Sequence, residues 1–189
     1  MEVRALLDAL HVAERLKDTT RHCYTSKGRH ESVAEHSWRI ALMAFWVSDE
    51  FPEADMGKVI RMCLIHDLGE CFTGDIPSFN KTAVDTQRED AALAAWVASL
   101  PTPYCDELCA LYREMDAQES EEAKLYKALD KLEAVIQHNE SPIDTWEPHE
   151  YQLNLDYAWT NVAFSDYMTE LRQEIRKDTE EKIAAEGTK

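Results

Sequence analysis

Residues 63–77 read CLIHDLGECFTGDIP, and His66, Asp67, Glu70 and Asp75 within them are side chains that bind metals or carry protons. His66 and Asp67 stand together between Ile65 and Leu68, so two polar groups in an apolar run require partners. Adjacent helical residues point about 100° apart, and an imidazole and a carboxylate so placed converge only on a point between their directions. A metal ion is such a point, and a mixed nitrogen and oxygen donor set suits manganese, cobalt, iron or zinc better than calcium. Two donors are too few for tight binding. His36 and Asp130, on or beside the apolar stripes of two other predicted helices, are the candidates to complete the set. Each also has a plain alternative: His36 as a satisfied core histidine, and Asp130 as the partner of Lys127 or Lys131 on a solvated face.

The elements that must carry these residues are helices. Five glycines, six prolines and long stretches rich in Ala, Leu, Glu and Lys predict an all-α fold, with no alternating strand pattern of useful length. A first helix is expected over 3–17, followed by the irregular stretch TTRHCYTSKGRH. Ser32 and Glu35 then form a capping box, from which Val33, His36, Ile40, Ala44, Val47 and Phe51 mark one buried face. A second long helix is expected from Asp55 to Cys71, closed by Gly74 and Pro77, and further helices over 83–99 and 104–116. In SEEAKLYKALDKLEAVIQHNE, Leu125, Leu129, Leu132 and Ile136 form the core stripe with Asp130 beside it. The loop SPIDTWEPHEYQLN leads to a last helix with Phe164, Tyr167, Leu171 and Ile175 inward, and a charged tail expected to fray from Asp178.

Composition narrows the partners. With 20 basic and 37 acidic residues the formal charge is −17, which repels any extended nucleic-acid backbone. The five cysteines form no C-x-x-C pair, so free thiols in a reducing, cytoplasmic setting are expected. The opening MEVRALLDALHVAERLKD has no apolar signal region, and no run of apolar residues is long enough to span a membrane. One domain over 1–189 is expected, its core at about 21–138.

The joint pattern of His36, the doublet His66-Asp67 and Asp130 resembles the HD-domain metal-dependent phosphohydrolases. Within that superfamily the chain is similar to the single-domain bacterial 5′-deoxynucleotidase-like proteins, through RHESVAEHSWRIALMA, IHDLGECFTGDIP and EEAKLYKALDKLEA. The resemblance implies an HD-domain helical bundle with a central metal, held by His36, His66, Asp67 and Asp130 with an open coordination position. It places Glu70 and Asp75 in the active site. Glu70, one turn beyond the doublet, is assigned to the nucleophilic water, and Asp75 to substrate orientation or protonation of the leaving group. It also implies that Arg21 binds the substrate phosphate, a task suited to a planar guanidinium. Lys81 is a second cation for that role. Where those relatives carry a tryptophan after the arginine, this chain has His22. Glu122 and Tyr126 share a helical face with Asp130, and Glu122 could support the metal site or belong to a solvated acidic face. Trp146 borders the pocket or plugs the core.

The expected activity is removal of the 5′-phosphate from nucleoside monophosphates, with deoxyribonucleotides preferred, aided by one divalent ion (cobalt, manganese, magnesium, iron or zinc). A homodimer is implied by the resemblance. No histidine lies between residues 67 and 129, which argues against the second metal of two-metal HD phosphodiesterases. The competing readings are an HD hydrolase of a nucleoside triphosphate or phospho-sugar, and a silent helical module stabilised by its metal.

Overall fold

The computed structural model describes residues 1–77 and 79–186. Helix α1 (Val3–Ala13) runs into a tight turn over Glu14–Lys17, close to expectation. The stretch after it is not irregular: β1 (Thr20–Tyr24) and β2 (His30–Ser32) pair as an antiparallel hairpin. Its turn is closed by Gly28, whose φ of 79° lies in the left-handed region open to glycine. The strands are too short to show a period of two, yet they carry Arg21, His22 and Cys23 to one wall of the cavity described below.

Ser32 caps α2 (Val33–Trp46) with the expected reciprocal box, its hydroxyl accepting from the Glu35 N–H while the Glu35 carboxylate accepts from the Ser32 N–H. Val33, His36, Ile40 and Ala44 are buried on its inner face. The next helix is shorter than expected. Asp55 caps α3 (Met56–Ile65), and beyond Ile65 the backbone tightens, Leu68, Glu70, Cys71 and Phe72 each donating to the carbonyl three residues back. At that pitch residues three apart eclipse, which brings Asp67 and Glu70 into line. α4 (Glu70–Thr73) ends at Gly74, where φ 78° and ψ 166° define a conformation held almost only by glycine.

Helices α5 (Ala83–Ala98) and α6 (Tyr104–Ala117) follow as expected. α7 (Glu121–Glu140) is the central element, packed on α2, α3 and α6. Its Leu125, Leu129 and Leu132 are wholly buried, each worth about 1.5–3 kcal/mol relative to exposure. The expected loop after it contains a tight turn at Ile143–Thr145 and a helix, α8 (Glu150–Asp156), before α9 (Trp159–Val162) and α10 (Asp166–Glu186).

The inward stripe of α10 is shifted from the expected one. Ile175 is buried, Phe164 and Leu171 pack against the core, but Tyr167 is exposed and only edges Phe51. Met168, Arg172 and Thr179 take the inner positions. Arg172 earns its burial by donating to the Asn154, Leu155 and Tyr157 carbonyls at the end of α8, groups a helix terminus leaves unpaired. Nor does the helix fray at Asp178, since the buried Thr179 hydroxyl bonds Asn139. Among the described residues no helix is long and apolar enough to cross a membrane.

Candidate active site

The four expected metal donors meet where α2, α7 and the tight turn after α3 converge. His36 Nε2 lies 3.3 Å from Asp130 Oδ1 and 3.9 Å from Asp67 Oδ2. His66 Nε2 lies 2.9 Å from Asp67 Oδ2 and 3.8 Å from Asp130 Oδ1. Donors bound at about 2.0–2.2 Å around one ion stand about 3–3.5 Å apart, and the spacings here, from 2.9 to 3.9 Å, bracket that range. The buried His66 Nε2 has no hydrogen-bond partner among the described residues, with the Asp67 carboxylate oxygen 2.9 Å away.

The other ring nitrogens are held as metal-binding imidazoles require. His66 Nδ1 donates to the Cys63 carbonyl at 2.9 Å. His36 Nδ1 bonds the buried carboxylate of Glu133. Burial and Arg21 oppose charge on His36, but Glu133 and Asp130 outweigh them and raise its pKa to about 9. Asp130 satisfies both expectations for it at once. Its Oδ2 receives Lys127 at 3.1 Å and Lys131 at 3.4 Å while Oδ1 faces the histidines. It is buried all the same, and against that burial the two lysines hold its carboxyl well below the ordinary range.

A cavity of about 320 Å³ opens beside these donors, lined by Arg21, His36, Asp67, Glu70, Asp75, Lys81 and Asp130. His66 closes the cluster from behind and is not among the lining residues. Glu70 is buried with one carboxyl oxygen unpartnered among the described residues. Burial, then Asp67, Asp75 and Glu89, push its pKa up to about 10. Asp75 is raised by burial and by Asp67, with Arg21 pulling the other way. Arg21 bonds Glu31 at 2.9 Å and Glu133 at 3.2 Å, both through Nη1. Lys81 lines the cavity but pairs with Glu89 at 2.7 Å.

Glu133, His138 and Glu150, not singled out in the sequence, complete the surroundings with residues that were. Glu133, three residues after Asp130, ties His36, Arg21 and Arg39 together, a role the i, i+3 spacing could have suggested. Lys127 and Lys131 add positive charge to the cavity wall. At the opposite end His22, His138 and Glu150 meet. Glu122 is not at the metal site: it accepts from the Asp55 N–H and pairs with Lys58 at the start of α3. Tyr126 lies near His66 with the rings tilted at 57° and their centroids 6.0 Å apart. Trp146 is buried against His138, its indole N–H donating to Ser141 and the His138 carbonyl, so it plugs the core.

The HD domain family matches residues 13–172. The chain is 34% identical over 141 residues to the 5′-deoxynucleotidase HDDC2 of Homo sapiens, a match covering 72% of this chain and 68% of that protein. It is 36% identical over 141 residues to the protein of the same name from Bos taurus, with the same coverage. In three dimensions it is similar to a predicted metal-dependent phosphohydrolase from Magnetospirillum magnetotacticum, with a TM-score of 0.82 and 28% identity over 95% of this chain and 93% of that one.

Proposed function

The chain belongs to the HD-domain family, and we propose that it is a metal-dependent phosphohydrolase that removes the 5′-phosphate from nucleoside monophosphates, with deoxyribonucleotides preferred. The observation that carries this reading is one cavity in which His36, Asp67 and Asp130, with His66 closing the cluster behind them, share the wall with Arg21, Glu70 and Asp75. The names of the human and bovine relatives support the same substrate class.

In this proposal His36, His66, Asp67 and Asp130 hold one divalent ion of the manganese, cobalt, iron, magnesium or zinc group. Such an ion supplies Lewis acidity, lowering the pKa of water toward neutrality and offsetting phosphate charge. Glu70 is the partner of the attacking water, its carboxyl buried in the cavity wall with one oxygen unpartnered among the described residues. Asp75, on the far side of Gly74, orients the substrate or returns a proton to the departing 5′-oxygen. Arg21 grips the phosphate through Nε and Nη2, which no hydrogen bond engages among the described residues, while Glu31 and Glu133 fix Nη1. Lys127 and Lys131 add charge against the phosphate oxygens as negative charge spreads. Lys81 serves a smaller part, because Glu89 already neutralises it.

The proposal extends to a homodimer. Trp38, Phe45 and Trp46 of α2 are 61%, 61% and 69% exposed, an apolar face whose burial against a second copy would be favourable. Phosphate release from a panel of ribo- and deoxynucleoside monophosphates, triphosphates and phospho-sugars tests the substrate class. Turnover of monophosphates ahead of the others supports the reading, and turnover confined to triphosphates or phospho-sugars replaces it.

A further inference from the structure

A second cluster with the makings of a metal centre lies at the other end of the same cavity, built from β1, α7 and α8. Glu150 Oε1 stands 3.0 Å from His22 Nε2 and 2.9 Å from His138 Nε2. The Cys23 thiol lies beside His138, its Sγ 3.4 Å from Nδ1 and 3.8 Å from Nε2. All four residues line the cavity. The absence of histidines between residues 67 and 129 bears only on a second site formed within that segment. Here the donors come from both sides of it.

The outer groups are those that prepare ligands for a metal. His138 Nδ1 donates to the Ala134 carbonyl at 2.9 Å, which directs Nε2 into the cluster. Glu150 Oε2 accepts the Glu147 N–H at 2.7 Å, leaving Oε1 for the same point. Glu150 is 1% exposed and Cys23 is 6% exposed, so both ligands are held in the cavity wall. One carboxylate oxygen within 3.0 Å of two imidazole nitrogens brings three donors to a single point that a cation can share.

We propose that His22, His138 and Glu150, joined by Cys23 once its thiol turns from His138 Nδ1 toward Nε2, form a second metal site, of a chemical class that selects zinc or a closely related ion. Asp130, Ala134 and His138 lie at successive steps of four along α7, which sets the two clusters about 12 Å apart. Paired catalytic ions stand about 3.5–4 Å apart, so the second ion does not share the reaction centre. It ties the hairpin, through His22 and Cys23, to α7 and α8, and thereby fixes the neighbouring Arg21. The site is closed by four protein ligands, as structural zinc centres are.

The test counts metal rather than turnover, so its result is independent of whether the substrate assignment is right. Full-length protein and its Asp67→Ala, Glu150→Gln and Cys23→Ser variants are stripped, reloaded with zinc or cobalt, and assayed for metal per chain, with circular dichroism confirming the fold. The expected result is that Asp67→Ala keeps about one equivalent and shows a thiolate-to-cobalt charge-transfer band. Cys23→Ser removes that band, and Glu150→Gln loses the Asp67-independent equivalent. Should Asp67→Ala fail to fold, the band in the wild-type protein and its loss in Cys23→Ser decide the matter. A metal-free Asp67→Ala protein that is folded, or cobalt-loaded wild type without a thiolate band, overturns the proposal.

Discussion

His36 and Glu133 are joined by a buried hydrogen bond from imidazole Nδ1 to carboxylate Oε2, linking the first turn of α2 to the middle of α7. The bond sets which imidazole nitrogen faces Asp67 and Asp130, and the same carboxylate anchors Arg21. One side chain thus positions both His36, proposed to hold the metal, and Arg21, proposed to bind the phosphate. Glu133→Gln keeps the shape but removes the charge that supports both. Metal affinity is expected to fall by about 10- to 100-fold, measured by competition with a chromophoric chelator. Unchanged affinity would show that His36 orients without it.

Arg21 is expected to act on the phosphate. Arg21→Ala should lower kcat/KM by about 100-fold, the scale of losing one preorganised donor to developing charge, while bound metal stays constant. Arg21→Lys should recover only part of the loss, because an ammonium lacks the planar fork. Full activity in Arg21→Lys would mean that charge alone is used there.

Gly74 determines where Asp75 points. Its φ of 78° and ψ of 166° lie outside the range of side-chain-bearing residues, although a Cβ would meet no atom within 4 Å. The cost of Gly74→Ala is therefore conformational, about 1–3 kcal/mol. Thermal unfolding should show that loss together with a drop in kcat; a neutral substitution would show that the turn relaxes freely.

Lys58 pairs with Glu114 at 2.8 Å and Glu122 at 3.2 Å, joining the start of α3 to α6 and α7 far from the metal donors. Glu114 is held below its ordinary value of 4.5, first by the bond from Lys58, and Glu122 first by its own backbone N–H. Depressed carboxyls stabilise the fold above the unfolded value, and that contribution is lost as pH falls through the folded one. Lys58→Met should thus cost about 0.5–1 kcal/mol at neutral pH, with the gap to wild type closing below pH 4.5. A gap that persists in acid would assign the loss to packing.

That His36, His66, Asp67 and Asp130 come together was legible because each stands on or beside an apolar stripe of a predicted helix and the family resemblance joined them, with the capped start of α2 fixing the phase for His36. Other features have no such signal. The tightening after Ile65 changes backbone bonds without changing composition, so a single helix through Cys71 was the natural expectation. In α10 a fully buried arginine occupies a core position, and an apolar pattern places the stripe at Tyr167 instead of Met168 and Arg172. The meeting of His22, His138 and Glu150 depends on a short hairpin and on a helix inside a stretch that reads as loop. Proximity among residues so far apart in sequence arises only from packing.

The most direct test is phosphate release from deoxynucleoside 5′-monophosphates by protein stripped of metal and reloaded separately with cobalt, manganese, magnesium, iron or zinc, beside Asp67→Ala. Activity that is absent from the stripped protein, returns with a divalent ion, and fails to return in Asp67→Ala is the predicted result. Equal turnover by Asp67→Ala, or by metal-stripped protein, would contradict it.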